Sequence, residues 1–368
     1  MARTKQRWLP ALVIPFALAM AVLFGSVQAG ATVSLPPRTA DEILAMIART
    51  EVRALSGTVQ QTAELGLPEV PTAGPGIAPG AASALELLTG SHTARVYVDG
   101  PLKARLQIMD RMAERDVVLN GGDAWFYNSA DNSATHLTAP APSVADVRES
   151  LPAKPGPDAP SDMPVREIPT PESMASHFLA AIDDSTEVSV GESSSVAGRS
   201  AYRLSLHPRS TETLVDSIAI DVDSETGVPL GVEVRAKGQA EPAYSLAFTE
   251  LDLSTPDAAL FEFTPPPGAT VTETAVPAKP VPTMPAPEDA PTLRHPVITG
   301  AGWDSVIALP AGSAPAELTS NPQLSQALQP VAGGRAVTTS LMSVLILDDG
   351  RVYAGMVPLE RLQSAAAQ

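Results

Sequence analysis

The fold is decided by residues 202–249, which read YRLSLHPRSTETLVDSIAIDVDSETGVPLGVEVRAKGQAEPAYSLAFT. Apolar and polar residues alternate there in successive runs, and this period of two is typical of β-strands with one buried face. The apolar members of the runs are Tyr202, Leu204, Leu206, Ile218, Ile220, Val222, Val228, Leu230, Val232, Val234, Tyr244, Leu246 and Phe248. A turn signal at Glu225-Thr226-Gly227 separates two of the runs. The stretch therefore predicts a meander of antiparallel strands with one apolar face and one solvated face.

The same alternation occurs nearer the N-terminus, where Leu102, Ala104, Leu106 and Ile108 alternate with polar residues. Further hairpin turns are indicated by Asn120-Gly121-Gly122-Asp123 and by Ala197-Gly198-Arg199. The strand pattern therefore occurs before residue 110 as well as after residue 202.

Two helices are predicted beside these strands. Thr39 and Glu42 have the spacing of a capping box, and Thr170-Pro171-Glu172 places a cap before a proline in the first turn. Their apolar stripes are Ile43, Leu44 and Ile47 in the first helix and Met174, Phe178, Leu179 and Ile182 in the second. With so few helices, the predicted class is α+β, mainly antiparallel β. The expected architecture is a half-open β-barrel with the helices against its concave face.

Proline-rich stretches divide the chain, which contains 37 prolines. Residues 66–82 and 140–171 are predicted to be insertions in a first domain at 31–274, and residues 275–296 are predicted to be a linker. Residues 297–368 are expected to form a small α+β domain that docks on the first. Its predicted elements are a strand at 303–309, a helix at 322–328, strands at 337–347 and 351–357 around Asp348-Asp349-Gly350, and a helix at 359–367.

The first 29 residues have the pattern of an export signal. Arg3, Lys5 and Arg7 precede an uncharged apolar run, and Val27-Gln28-Ala29 fits a cleavage site. The alternative is an uncleaved membrane anchor, because the apolar run is about as long as a spanning helix requires. Both alternatives place the remainder outside the cytoplasm, either secreted or periplasmic, or anchored to the outer side of the cytoplasmic membrane.

Composition excludes several classes of function. The formal net charge of −17 argues against nucleic-acid binding, and the absence of cysteine excludes disulfides, thiolate metal sites and cysteine nucleophiles. Residues 221–227 resemble a calcium loop, but Thr226 and Val232 stand where an EF-hand needs glycine and glutamate. Ser193-Ser194-Ser195 lacks a nucleophile elbow, and the histidines lack metal-ligand spacing. No enzyme activity, cofactor or metal is predicted.

The apolar face of the strands is the candidate site. As a cavity, it would be lined by Leu102, Leu106, Ile108, Tyr202, Leu204, Leu206, Ile218, Ile220, Val232, Val234, Leu246 and Phe248. The second helix would cover it as a lid, with Met174, Phe178 and Ile182 facing inward. The alternative is that the same face is a closed, dry core under two helices.

Five segments, taken in order, carry a family resemblance. They are 55–59 (LSGTV), 94–100 (ARVYVDG), 117–127 (VVLNGGDAWFY), 196–204 (VAGRSAYRL) and 254–268 (STPDAALFEFTPPPG). The chain over 39–272 resembles the bacterial lipoprotein-carrier superfamily, which includes LolA and LolB carriers, RseB-type sigma-factor regulators and mycobacterial lipid-binding lipoproteins. The resemblance implies an eleven-stranded half-open barrel with a helical lid and an apolar cavity for acyl chains, and no catalytic residues.

Two functions follow as hypotheses. The first is an extracytoplasmic carrier whose partner is a lipid or an acylated lipoprotein, buried in the apolar cavity. The second is an RseB-like regulator that binds a membrane-spanning anti-sigma factor or transporter, with residues 277–296 setting the distance between two binding surfaces.

Overall fold

A computed structural model describes residues 35–67, 90–109, 113–138, 170–275, 297–313 and 328–367. The predicted signal or anchor, most of the insertion at 66–82, the insertion at 140–169, the linker at 276–296 and most of the helix at 322–328 lie outside these ranges. The helices are α1 (Ala40–Ala48), α2 (Pro171–Ala180) and α3 (Leu359–Ala366), with short 3-10 turns at Ala258–Phe261 and Gly302–Asp304. None of the helices in these ranges is long and apolar enough to cross a membrane.

The first sheet contains thirteen strands of the described residues. They are β1 (Ala54–Ala63), β2 (Gly90–Asp99), β3 (Lys103–Met109), β4 (Glu114–Asn120), β5 (Asp123–Asn128), β6 (Ser133–Thr138), β7 (Thr186–Val190), β8 (Ser194–Val196), β9 (Arg199–Pro208), β10 (Val215–Asp223), β11 (Pro229–Ala236), β12 (Tyr244–Asp252) and β13 (Thr270–Ala275). Their order is β13-β6-β5-β4-β3-β2-β1-β12-β11-β10-β9-β7, with β8 also on β9, so the sheet is not closed.

Most neighbours in this sheet are antiparallel, as the hairpin signals predicted, but β13 pairs with β6 in parallel. The last strand of the sheet therefore departs from the antiparallel meander that the sequence predicted. After β12, the chain passes through the 3-10 turn at Ala258–Phe261 and returns along the far edge. Asp257 caps that turn, and residues 262–266 join no sheet.

One face of the first sheet is the core. Leu204, Ile220, Val232 and Leu246 lie side by side on β9, β10, β11 and β12, because these strands pair in that register. None of these four side chains is more than 4% exposed. The core continues across β1, β2 and β3 through Val59, Val96 and Leu106. Apolar burial of this kind is the main force that stabilises the sheet.

Gly57 is required where β1 meets β12. A Cβ atom at this position would lie 2.5 Å from the carbonyl oxygen of Glu250 and 2.8 Å from Cδ1 of Phe248. The pairing of β1 with β12 also shifts register just after this point, between Thr58 and Val59. Glycine therefore lets the buried Phe248 ring lie directly over the strand backbone.

Gly57→Ala is expected to lower the free energy of unfolding by about 1–3 kcal/mol, because the new methyl group overpacks this contact. Urea denaturation would measure the loss. Gly191→Ala is the matched control, since a Cβ atom there meets its nearest neighbour at 3.5 Å, an ordinary contact. Equal stability of Gly57→Ala and the wild type would show that the contact is looser than described.

Both predicted helices of the first domain are present, and both are capped as predicted. The Thr39 and Glu42 capping box starts α1, and Thr170 caps α2 with Pro171 at its first position. Helix α1 buries Ile43 completely, and α2 buries Pro171 and Ala175. Helix α2 ends at Ala180, so Ile182 lies beyond it rather than on its last turn.

The opposite face of the sheet carries buried ion pairs. Arg203 on β9 donates to Asp221 on β10 from Nε (3.0 Å) and Nη2 (2.9 Å), and also reaches Glu233 on β11. These hydrogen bonds raise the pKa of Arg203, against the effect of burial. Arg105 on β3 pairs with Asp116 on β4 and donates to the carbonyl of Leu260, which fastens the 3-10 turn to this face.

Asp223 belongs to the same face and is 1% exposed at its side chain. Burial opposes its ionisation, but hydrogen bonds from Arg199 and Thr226 outweigh that effect and lower the pKa of the carboxyl. A carboxylate with a lowered pKa in the folded state stabilises the fold above its unfolded pKa, and this stabilisation is lost as the pH falls through the folded value.

Asp223→Asn is therefore expected to be less stable than the wild type by about 1.5–3 kcal/mol at pH 7, the usual range for hydrogen bonds to a charged group. The difference should shrink as the pH falls below about 4. Urea titrations at pH 7, 5 and 3 would test this prediction. A difference that is the same at all three values would contradict it.

The second sheet contains six strands of the described residues, all antiparallel to their neighbours. In sheet order they are β14 (Val297–Thr299), β15 (Val306–Leu309), β19 (Val352–Gly355), β18 (Ser343–Leu347), β17 (Gly334–Thr338) and β16 (Gln329–Val331). Helix α3 covers one face, where Leu345, Tyr353 and Leu362 share a core. The predicted helix at 359–367 thus corresponds to α3.

Two strand predictions in this part were wrong. Residues 337–347 are not one strand, because Thr339 turns the chain through hydrogen bonds with Met342 and so separates β17 from β18. The strand predicted from Trp303 begins only at Val306, after a 3-10 turn.

Hydrogen bonds join the two sheets. Trp303 Nε1 donates to Thr186 Oγ1 (2.8 Å), and the backbone N–H of Leu214 donates to the carbonyl of Met356 (2.8 Å). On another side, the backbone N–H of Ser340 donates to the carbonyl of Leu65 (3.0 Å). Both sheets lie within one unit of the chain, Pro37–Gln368.

Candidate functional site: an apolar groove beside helix α2

The residues predicted to line a cavity lie together on the core face of the first sheet. Eleven of the twelve are buried, and their exposures run from 0% to 7%. They are Leu106, Ile108, Tyr202, Leu204, Leu206, Ile218, Ile220, Val232, Val234, Leu246 and Phe248. Leu102 is half-buried and precedes β3. The alternation in the sequence therefore brings nearly all of them to one face.

One cavity beside these side chains is small. A cavity of about 30 Å³ lies among Val59, His92, Leu106, Ile108 and Leu246. That volume admits about one or two water molecules. It is too small for an acyl chain in this conformation.

The predicted lid residues have three different surroundings. Met174 packs against the core of the first sheet. Phe178, one turn later on α2, lines a separate groove between the helix and the second sheet. Ile182 follows the helix and is half-buried. The helix thus presents apolar side chains both to the core and to the groove.

This groove has a volume of about 450 Å³. Its walls come from α2, from the 3-10 turn at Gly302–Asp304 and from the second sheet. The lining residues are His177, Phe178, Ala181, Gly302, Trp303, Ser305, Ile307, Met342, Ala354, Gly355 and Met356. A volume of this size is within the usual range for small-molecule sites, and such sites are usually apolar with a few polar groups.

Two features hold the groove in shape. The Trp303 indole is anchored by its hydrogen bond to Thr186, so the ring forms a fixed wall. Ile307 and Ala354 are register partners on β15 and β19, and they lie on the face opposite the neighbouring Tyr353, which packs with α3. The face of the second sheet that α3 leaves uncovered therefore contributes the floor of the groove.

Long apolar side chains surround a floor of small residues. Met342 and Met356 are 38% and 40% exposed, and Ile307 is 40% exposed. Ala181, Ala354 and Gly355 contribute little bulk. Methionine side chains adapt readily to ligands of irregular shape. The arrangement suits a flexible, unbranched apolar ligand.

Sequence reasoning singled out one groove residue, Phe178, but as part of a lid over the first sheet, and it missed the rest. Most of the others come from segments more than a hundred residues away from Phe178. The sequence pattern of those segments does not show which face of the second sheet helix α3 leaves uncovered. A weak signal was present, because Met342 and Met356 flank strands without belonging to an alternating run.

The ionisable residues of the described ranges form no group of three or more that could hold a metal ion. The segment 221–227 is a strand end and a turn, in which the backbone N–H of Thr226 donates to Asp223 and Gly227 has a φ of 76°. It thus has the hairpin geometry that the sequence favoured.

No protein-family model matches the sequence, and no curated protein matches it significantly. Similar solved structures include the MucA/MucB complex of Pseudomonas aeruginosa, with 17% identity over 89% of this chain and 96% of the other, and a TM-score of 0.42. A LolA-superfamily protein from Nitrosomonas europaea shares 12% identity over 62% of this chain and 99% of its own, with a TM-score of 0.24. An uncharacterised conserved protein from Thermus thermophilus shares 13% identity over 64% of this chain and 99% of its own, with a TM-score of 0.35.

The described residues form a mainly β protein, and the chain is similar in structure to MucB and to LolA-superfamily proteins, at low sequence identity to both. The family resemblance drawn from the five segments is confirmed at this level.

Proposed function

We propose that this protein binds acyl chains outside the cytoplasm, as a lipid or lipoprotein carrier, and that the groove beside α2 holds the chain. The observation that carries the proposal is the groove itself, with about 450 Å³ of space among largely apolar side chains. Each methylene group moved from water into such a site contributes about 0.8 kcal/mol, so a chain of ordinary length gains several kcal/mol.

The face of the first sheet remains a second possible location for the chain. Because the cavity there measures about 30 Å³, an acyl chain can enter only if the packing on this face opens. Met174 is the side chain of α2 that packs on this core and would be displaced. Binding at the groove requires no such movement.

Native mass spectrometry of the full chain, purified from its own membrane fraction, tests the proposal. The expected result is bound lipid at close to one molecule per chain. A protein that carries no lipid, and that also binds no fluorescent fatty acid when one is added, would refute the proposed function.

Export is part of the proposal, and it rests on the charged and apolar pattern of residues 3–29. A C-terminal fusion to alkaline phosphatase should be active, because that enzyme folds only outside the cytoplasm. A stable but inactive fusion would contradict this localisation.

An RseB-like regulatory role is the second candidate, and an exposed edge strand favours it. β14 pairs only with β15 among the described strands, and Val297 and Ile298 are 58% and 61% exposed. Such an edge can accept an extended segment of a partner by strand addition. The proposed partner is a membrane-spanning anti-sigma factor or transporter.

A photoreactive phenylalanine analogue at Ile298 tests this role in living cells. It should crosslink the chain to one defined membrane protein, whereas the analogue at the exposed Glu250 on the first sheet should not. Crosslinking that is equal at both positions, or absent at Ile298, would argue against the regulatory role.

A further inference from the structure

A histidine on the outer face of the first sheet joins two neighbouring strands through its ring. His136 lies on β6, between β5 and the parallel strand β13. Its Nδ1 is 2.7 Å from Oε2 of Glu273 on β13, and its Nε2 is 3.1 Å from Oδ1 of Asp123 on β5. The side chain of His136 is 18% exposed, while both carboxylates are largely exposed.

These two contacts determine the protonation state that the arrangement requires. An ionised carboxylate only accepts hydrogen bonds, and a neutral imidazole carries a single N–H. Both contacts are hydrogen bonds only when both ring nitrogens carry a proton, in the imidazolium form. Loss of one proton turns one contact into a lone pair that faces a carboxylate oxygen.

An aromatic ring also lies against the imidazole. The indole of Trp125 stacks on the imidazole, with ring centroids 4.1 Å apart and planes 6° apart. A cation over the face of tryptophan is attracted by the π-electrons of the ring. Phe263 packs on the other rings of this cluster, at 5.4 Å from Trp125 and 5.7 Å from Tyr127. Among the residues that the structure describes, the charged groups that contact His136 are Asp123 from β5 and Glu273 from β13.

We propose that His136 is a pH-dependent clasp that fastens β13 to the sheet when the imidazole is protonated and loosens the strand when it is not. β13 is suited to this behaviour, because it is an edge strand held by one neighbour, in a parallel pairing. Parallel pairing is slightly weaker per residue than antiparallel pairing. Among side chains, histidine is the one whose charge ordinarily changes between about pH 5 and 8.

Release of β13 would change the length of the connection between the two sheets. This strand is the last strand of the first sheet along the chain, and β14 of the second sheet begins at Val297. Release of its six residues would lengthen the connection between the sheets by about 20 Å, at roughly 3.3 Å per residue.

Amide hydrogen exchange of the full chain at pH 5.5 and pH 8.0 tests the proposal, with rates divided by those of the unstructured chain at each pH. Protection of residues 270–275 is expected to fall roughly tenfold at the higher pH, which is the effect of losing one charge-assisted hydrogen bond. In His136→Gln the protection should be equal at both pH values. His207→Gln, which replaces an exposed histidine on β9, should behave as the wild type.

Glu273→Gln provides a second test, in case His136→Gln does not fold. An amide can pair with either form of the imidazole, so the pH dependence should shrink in this variant. The proposal is overturned if protection of β13 in the wild type is the same at both pH values. It is also overturned if Glu273→Gln keeps the full wild-type dependence.

Discussion

Asp221→Ala is expected to lower the free energy of unfolding by about 3 kcal/mol, the low end of the range for breaking a buried ion pair. The Asp221 side chain is 5% exposed, and it accepts hydrogen bonds from Arg203 and from Ser194 Oγ (2.7 Å). Without it, the Arg203 guanidinium keeps one carboxylate partner among the described residues, Glu233, which is more exposed. The low end of the range applies because that second partner remains.

Asp216→Ala is the matched control for this variant. Asp216 lies on the same strand, β10, but it is exposed, and its carboxylate accepts a hydrogen bond from its neighbour Ser217. Its removal should change stability by less than about 0.5 kcal/mol. Urea denaturation of both variants at pH 7 would measure the two losses of stability. A loss at Asp221 no larger than that at Asp216 would mean that the ion pairs of this face contribute little.

Ala354→Trp is expected to weaken binding of a fluorescent fatty acid roughly a hundredfold. Ala354 lies in the groove, and an indole there would occupy space that three or four methylene groups of an acyl chain otherwise fill. At about 0.8 kcal/mol per methylene, that loss is close to 3 kcal/mol, or two powers of ten in affinity. Equilibrium titration of the probe would measure it. Because the side chain points into open space, little change in melting temperature is expected.

Val232→Trp is the comparison that separates the two possible locations of the ligand. Val232 is fully buried in the core of the first sheet, so the larger ring should destabilise the fold by about 1–3 kcal/mol. A folded Val232→Trp should still bind the probe in the groove. If Val232→Trp keeps its stability but loses binding while Ala354→Trp binds normally, the ligand lies on the face of the first sheet instead.

The parts of the fold that local chemistry determines could be predicted from the sequence. The alternation around Leu204, Ile220 and Val232 reflects burial of one strand face, and those residues do share one face. The caps at Thr39 and Thr170 accept hydrogen bonds from backbone N–H groups three residues later. The residues that form each cap are therefore neighbours in the sequence, and the start of each helix can be predicted from them.

The parts that depend on contacts distant in sequence could not be predicted in this way. The parallel pairing of β13 with β6 joins residues about 137 positions apart, and no local pattern determines its direction. The groove forms where Phe178 meets Trp303 and Ala354, which only the docking of the second sheet brings together. Free space is likewise a property of packing, so the alternation could not tell a cavity from a filled core.

Quenching of Trp303 by a nitroxide-labelled fatty acid tests the central claim most directly, because nitroxides quench indoles only at short range. Trp303 lines the groove, whereas Trp125 lies on the outer face of the first sheet with Phe263. With Trp8 replaced by phenylalanine throughout, the account predicts saturable quenching in the parent and in Trp125→Phe, and almost none in Trp303→Phe. Quenching that persists in Trp303→Phe, or that is absent although the probe binds, would contradict the account.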